Sequence, residues 1–328
     1  MCDYKAFYEM VKKWTVNDYR TQKIKAEVIV DMLISEYIED IVSQSLSLRK
    51  KVKLIAKEFP IARVGQFPIK KMGDTFSKRQ YASVDFLMSG EDSNKSVIYL
   101  VELKTSDDSL DGLQLWNMLW TCEQRSNSLY NRFYDIIINY GIKCHGNELS
   151  TKKYQYTLSK YAVDYELKEC EAGIKSFGKK LQGGDCPIKT EQENTAINIL
   201  SSLKKIFDDA KLQIVYVGLN NEMNFADMAN RAFRGRVIQK RIDDNNTVKD
   251  FFTKTAKIRI DDKDEEIAAD ISSYIAGQNI EKILLTDFTP SEEKKKEWNH
   301  VKDILVKLKQ EPWGEEWFEA KKLRGDNV

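Results

Sequence analysis

The sequence predicts an α/β protein in which a buried central strand is covered by helices on both faces. Two apolar segments, Ser96–Thr105 and Leu212–Leu219, are typical of strands that are buried on both sides. The segment Lys23–Ser47 is rich in Ile, Val, Leu and Met and lacks Gly and Pro, which predicts a helix. Alternation of strand and helix signals along one chain favours the α/β class.

The remaining elements are assigned from the same patterns. Tyr81–Met88 alternates apolar and polar residues, which indicates a strand. Ser109–Arg125 carries a broad apolar surface at helical spacing. The further expectations are a continuation of the first helix over Leu48–Glu58, a strand at Ile61–Lys71, and helices at Glu191–Asp209, Asn224–Phe233, Glu265–Gly277 and Glu292–Gln310.

We divide the chain into two regions. Residues 1–242 are predicted to form the core, with an insertion at about 143–190, where the sequence is polar, lysine-rich and without a clear period. Residues 243–328 are predicted to form a mostly helical extension that packs on this core. No internal repeat occurs, so repeat architectures are not expected.

Composition excludes several classes of protein. No apolar run approaches the roughly 20 residues that span a bilayer, so no membrane partner is expected. The five cysteines are scattered and contain no CxxC pair, which argues against a disulfide framework and a zinc site. We therefore expect a cytoplasmic protein. The two histidines are far apart and no Walker-type glycine loop is present, so neither histidine-based catalysis nor such a phosphate loop is expected.

A charged pattern ends the central strand. Glu102 and Lys104 lie two residues apart, so their side chains project from one face of the sheet while Leu103 projects from the other. If the preceding strand forms a hairpin with this one, Asp85 converges on Glu102. Two converging carboxylates repel unless a cation lies between them, and carboxylate oxygens suit Mg²⁺ or Mn²⁺. A mutual ion pair between Glu102 and Lys104 is the structural alternative.

Together these residues resemble the PD-(D/E)xK nuclease superfamily. The matching residues are Val84-Asp85 on one strand, Glu102-Leu103-Lys104 on the next, and Gln114 on the following helix. The resemblance covers roughly Arg20–Arg125, with Leu212–Leu219 as a fourth core strand, and Val84 replaces the nominal Pro. It implies a restriction-endonuclease-like α/β/α core with a mixed central sheet, extended here by additional helices.

The resemblance also implies roles for these residues. Asp85, Glu102 and the main-chain carbonyl of Leu103 would bind Mg²⁺, or alternatively Mn²⁺. Lys104 would position or help deprotonate the attacking water. Gln114 would contact the substrate or brace Lys104, although an ordinary surface position is the alternative.

An acidic residue of the first helix often completes such metal sites. Glu27 is our choice and Glu36 is the alternative, because Glu36 shares a stripe with Ile29 and Leu33. The apolar residues of this helix point almost all round, so periodicity alone does not identify which acid faces inward. A surface acid is the alternative for either residue.

Basic residues supply candidate contacts to a phosphate backbone. The chain has a formal net charge of only +1, yet Arg49–Arg79 contains ten basic and two acidic residues, a net charge of +8. A second basic cluster spans 231–241. A charged run is also typical of solvated surface. The candidates for nucleic-acid binding are Lys70, Lys71, Lys78, Arg79, Arg234 and Arg236.

The function that we predict is Mg²⁺-dependent hydrolysis of phosphodiester bonds in nucleic acid, with DNA preferred. The alternatives are a non-catalytic module that binds nucleic acid or protein, and an RNA-directed nuclease of a defence or toxin system. Restriction-like enzymes often act as homodimers, and the sequence leaves monomer and homodimer open. It also leaves open whether cleavage depends on the sequence or the structure of the substrate.

Overall fold

The structure is a computed structural model that describes 30–31, 33–48, 51–64, 81–92, 95–104, 112–124, 129–130, 204, 206–219, 224–234, 246–255, 257 and 264–310. In chain order its elements are α1 (Ile38–Ser45), β1 (Lys53–Ala62), β2 (Tyr81–Asp92), β3 (Lys95–Lys104), α2 (Gly112–Glu123), β4 (Lys211–Gly218), α3 (Phe225–Arg234), α4 (Asn246–Thr255), α5 (Asp264–Ala276), β5 (Ile280–Leu284) and α6 (Lys295–Gln310). A 3₁₀ turn, Leu285–Asp287, follows β5. Among the described helices, none has the length and apolar character that a bilayer crossing requires.

The described strands form one mixed sheet in the order β1-β2-β3-β4-β5. The pairs β1–β2 and β2–β3 are antiparallel, whereas β3–β4 and β4–β5 are parallel. The prediction of an α/β fold with a mixed central sheet is therefore confirmed. The apolar segment Leu212–Leu219 is also confirmed as a core strand, and it lies directly beside β3.

Strand β3 is buried on both faces, because helices cover each side of the sheet. Ile98 and Leu100 lie in a first core, which also contains apolar residues of α2, α3, α4 and α5. Tyr99 and Val101 lie in a second core, against apolar residues of α1 and α6. The alternation explains the continuous apolar run of β3, since every side chain meets one of two helical layers.

Helix α2 begins where it meets α3 at very short range. A Cβ atom on Gly112 would lie 2.0 Å from the main-chain oxygen of Met228 and 2.6 Å from Cβ of Ala232. Only glycine allows this approach. Further along α2, Trp116 is fully buried and donates a hydrogen bond from Nε1 to the main-chain oxygen of Ala229 at 3.0 Å. Helix α2 is therefore fixed over the end of β3 by contacts to α3.

The expectation of a helix over Leu48–Glu58 was wrong, because β1 begins at Lys53. Two side chains of α1 stabilise the start of this strand: Ser43 Oγ accepts a hydrogen bond from Val52 N at 2.9 Å, and Glu39 Oε1 accepts one from Leu54 N at 2.9 Å. These contacts join residues that are nine and fifteen positions apart, which local periodicity does not report.

Region 243–328 also contains a strand that the sequence did not predict. Strand β5 pairs in parallel with β4, so this region contributes to the central sheet as well as to the helical layers. The segment Ile280–Leu284 has only five residues and two of them are charged, which explains why no strand was predicted. The proposed insertion at 143–190 lies outside the described residues.

Candidate active site at the carboxyl end of the central strand

The motif residues meet where β2 and β3 separate. The regular pairing of these strands extends as far as Phe86 and Val101. Just beyond it, Asp85 Oδ2 accepts a hydrogen bond from the main-chain nitrogen of Leu103 at 2.6 Å. The side chain of Asp85 thus takes the place of a ladder partner and lies against the strand that carries Glu102. The antiparallel pairing of β2 and β3 that the prediction assumed is present, and the contact that it brings about joins Asp85 to the main chain beside Glu102.

Glu102 and Lys104 form a buried ion pair. Lys104 Nζ lies 2.8 Å from Glu102 Oε1, and the two residues are 7% and 6% exposed. The ion pair that was the structural alternative to a metal role is therefore present. Charged groups at this depth require partners because their transfer from water is costly.

Gln114 joins this pair from helix α2. Its Nε2 donates a hydrogen bond to Glu102 Oε2 at 3.2 Å and a second, short one to the main-chain oxygen of Ser83. These contacts favour a bracing role in which Gln114 holds Glu102, whereas the sequence analysis named Lys104 as the residue that it would brace. Gln114 connects β2, β3 and α2 at one point.

Asn117 is a buried polar residue of the same helix that the sequence analysis did not identify. Its Oδ1 accepts a hydrogen bond from the main-chain nitrogen of Val64 at 2.9 Å, just beyond the end of β1. The signal that could have revealed it is a polar residue inside the apolar run Leu115–Trp120, three positions after Gln114. Through Gln114 and Asn117, α2 fixes the ends of both β1 and β2.

The carboxylates available for a metal are Asp85 and Glu102. Among the residues that the structure describes, no group of three or more His, Cys, Asp or Glu side chains could hold a metal ion. Glu36 is exposed, and its segment packs in the second core, on the sheet face opposite Leu100. The structure therefore does not bring Glu36 to the two carboxylates. Glu27 lies outside the described residues.

Most candidate nucleic-acid contacts also lie outside the described part of the chain, namely Lys70, Lys71, Lys78, Arg79 and Arg236. Arg234 is the last residue of α3, and its side chain is likewise outside the description. Two other members of the basic segment pair with acids of the first helical region: Lys51 Nζ lies 2.8 Å from Asp40 Oδ1, and Lys57 Nζ lies 3.4 Å from Asp31 Oδ1. Part of the +8 charge is therefore neutralised by ion pairs within the protein.

Cys122, near the end of α2, is a poor candidate for a nucleophile. Burial, with a smaller contribution from the charge of Glu123, raises the pKa of its thiol to about 12. Because the thiolate is the reactive form, this cysteine is a weak nucleophile near neutral pH. The reactive groups of the site are thus carboxylates, an ammonium and an amide.

Comparison with protein-family models, with curated proteins and with solved structures found no match for this chain. The assignment of a function therefore depends on the residues and contacts described above. The feature with the clearest chemistry is the meeting of Asp85, Glu102, Lys104 and Gln114 at the carboxyl edge of two parallel strands, where ligands of α/β proteins commonly bind.

Proposed function

We propose that this protein is a metal-dependent nuclease of the PD-(D/E)xK type, with a restriction-endonuclease-like core, and that DNA is its preferred substrate. The observation that carries the proposal is the convergence of Asp85, Glu102, Lys104 and Gln114, which come from two strands and a helix. The contact between Gln114 and Glu102 adds a geometric observation to the D…ExK sequence pattern.

The donor set fits Mg²⁺ or Mn²⁺. Mg²⁺ is commonly held by one or two carboxylates, with waters and substrate phosphates as its other ligands, so Asp85 and Glu102 suffice. The main-chain carbonyl of Leu103 is the further ligand that the resemblance implies. A metal ion bound there would lower the pKa of a water molecule and offset charge on the phosphate.

The chain's own residues would orient the reaction. Asp85 is held by the Leu103 amide and Glu102 by Gln114, so both carboxylates have fixed directions. Lys104 lies beside Glu102 and can direct its ammonium toward an attacking water or a phosphate oxygen. Preorganised charges of this kind stabilise a transition state without reorganisation.

Cleavage of supercoiled plasmid, single-stranded DNA and RNA, each with Mg²⁺ or Mn²⁺, tests the proposal. We expect Asp85→Ala and Lys104→Ala to lose at least about 100-fold in rate. Asp31→Ala is the matched control, because it removes a carboxylate whose lysine partner is Lys57, on the sheet face opposite Glu102.

Equal rates in wild type and both site variants would contradict a nuclease. Binding of nucleic acid without a metal and without cleavage would favour the non-catalytic module. An ion pair between Glu102 and Lys104 that needs no metal is compatible with such a module. Cleavage of RNA but not of DNA would support a nuclease whose substrate is RNA.

A further inference from the structure

The Glu102 carboxylate is occupied by donors from the protein itself. Lys104 Nζ lies 2.8 Å from Oε1, and Gln114 Nε2 lies 3.2 Å from Oε2. The side chains of Glu102 and Lys104 are only 7% and 8% exposed, so bulk water contributes little to stabilising either charge. The proposed metal ligand is therefore already neutralised by a positive group.

A divalent cation at Glu102 binds an oxygen that already accepts a hydrogen bond from one of these donors. A carboxylate oxygen has a second lone pair, so the charge of the donor decides whether the two contacts are compatible. The ammonium of Lys104 is the donor that a cation repels, because like charges at close range in a partly desolvated site are unfavourable. The amide of Gln114 is neutral and is also held by the main-chain oxygen of Ser83. Lys104 is thus the donor that a bound cation displaces.

We infer that Lys104 is an internal substitute for the metal ion: its ammonium holds Glu102 in the metal-free protein and leaves Oε1 when a divalent cation binds. This inference rests on the proposed nuclease function and adds a control of metal affinity to it. The four-carbon stem of lysine is flexible, so the ammonium can move without a change in the backbone.

The exchange has two consequences for the site. The buried carboxylate never lacks a cationic partner, which keeps the end of β3 stable before a metal binds. The ammonium becomes available for water or phosphate only after the metal has replaced it at Oε1. The contact of Asp85 Oδ2 differs, because its donor is the main-chain nitrogen of Leu103, which cannot swing away as a side chain can.

Mn²⁺ affinity of the full chain, measured by calorimetry without nucleic acid, tests this inference. Lys104→Met removes the competing charge and keeps an unbranched side chain, so we expect about tenfold or tighter Mn²⁺ binding, equivalent to about 1.4 kcal/mol. Lys57→Met is the matched control, because Lys57 pairs with Asp31 rather than with either carboxylate of the motif. Its Mn²⁺ affinity should stay within about twofold of wild type.

Unchanged or weaker binding by Lys104→Met, with clear binding by wild type, overturns the inference and leaves the metal site in place. Absence of Mn²⁺ binding in both proteins overturns the metal site, and the inference with it. If Lys104→Met does not fold, NMR of wild-type protein with ¹³Cε-labelled lysine provides the second measurement. The Lys104 resonance, assigned with Lys104→Arg, should shift on saturation with Mg²⁺ while that of Lys57 does not, and an unchanged Lys104 resonance would overturn the inference.

Discussion

Two clusters of lysine and carboxylate share one contact distance and differ in burial. Lys104 Nζ lies 2.8 Å from Glu102, and Lys51 Nζ lies 2.8 Å from Asp40. The first pair is 8% and 7% exposed, whereas the second is 44% and 32% exposed and includes a further contact from Lys294 at 3.3 Å. The exposed cluster joins α1 to the beginning of α6 and to the start of β1.

Because the two ion pairs differ in burial, the loss of one partner has different consequences in each, although their contact distances are equal. Water screens the exposed cluster, so removal of one partner leaves a charge that solvent can stabilise. In the buried pair, removal of one partner leaves the other charge unpaired and with little access to solvent. Such an unpaired buried charge strongly destabilises the folded state. The fold therefore depends more strongly on each partner of the buried pair than on each partner of the exposed cluster. Four predictions test this contrast and the supports of the buried site.

The largest effect is expected for Glu102→Ala, which leaves the Lys104 ammonium buried without this carboxylate. We expect a loss of about 3–5 kcal/mol in the free energy of unfolding, measured by urea titration. The double variant Glu102→Met/Lys104→Met should be more stable than Glu102→Ala, because no unpaired charge remains. If Glu102→Ala lowered the free energy of unfolding by no more than Asp40→Ala does, the two clusters would not differ in the way that their burial predicts.

Gly112→Ala tests whether the α2–α3 approach supports the site. Because its Cβ would meet Met228 O at 2.0 Å, the helices must separate, and we expect a cost of about 1–3 kcal/mol. Gly277→Ala is the control, since its Cβ would lie no closer than 3.4 Å to Tyr274 O. Equal stability of the two variants in thermal unfolding would show that the close approach is not required.

Asn117→Ala leaves the buried amide of Val64 without its acceptor, and we expect a loss of about 2 kcal/mol. Hydrogen exchange provides a local readout: the Val64 amide should exchange faster, while the Leu103 amide, whose acceptor is Asp85, should keep its protection relative to global unfolding. Unchanged protection at Val64 would show that Asn117 does not hold the end of β1.

The smallest effect is expected for Asp40→Asn. Burial opposes ionisation of Asp40, but hydrogen bonds and charge from Lys51 and Lys294 outweigh it and lower its pKa below the usual 3.8. A lowered folded-state pKa contributes stability above the unfolded pKa, and this contribution disappears as pH falls through the folded value. The variant should therefore cost less than about 1 kcal/mol at pH 6, and this cost should decline as the pH falls below the ordinary aspartate pKa, as measured by urea unfolding at each pH. A cost that does not change with pH would indicate a packing effect instead.

The accuracy of the sequence predictions depended on how local each signal was. Strand β3 was predicted because every side chain between Val97 and Lys104 is buried, so the whole segment carries the signal. Strand β1 was missed because its start is stabilised by Ser43 and Glu39 of α1. Strand β5 was missed because a short strand gains its stability from pairing with β4, which lies more than sixty residues earlier in the chain.

The same distinction applies to the candidate site. Glu102 and Lys104 share a face because strand geometry fixes side-chain direction at every second residue, and sequence alone determines that. Bracing of Glu102 by Gln114 and of Val64 by Asn117 depends on where α2 packs, which Gly112 and its contact with α3 set. The predicted ligand Glu27 and the basic residues at 70–79 remain predictions.

The sequence by itself determined the fold class, two central strands and the residue types of a carboxylate–lysine motif, because periodicity and spacing act over a few residues. Only the tertiary structure decided that Asp85 accepts from the Leu103 amide, that Gln114 reaches Glu102, and that Lys104 is buried beside it. These contacts depend on strand register and helix packing, which join residues distant in the chain. Burial, the property that separates this ion pair from that of Lys51 and Asp40, arises only when the helical layer that contains α2 packs over this face of the sheet.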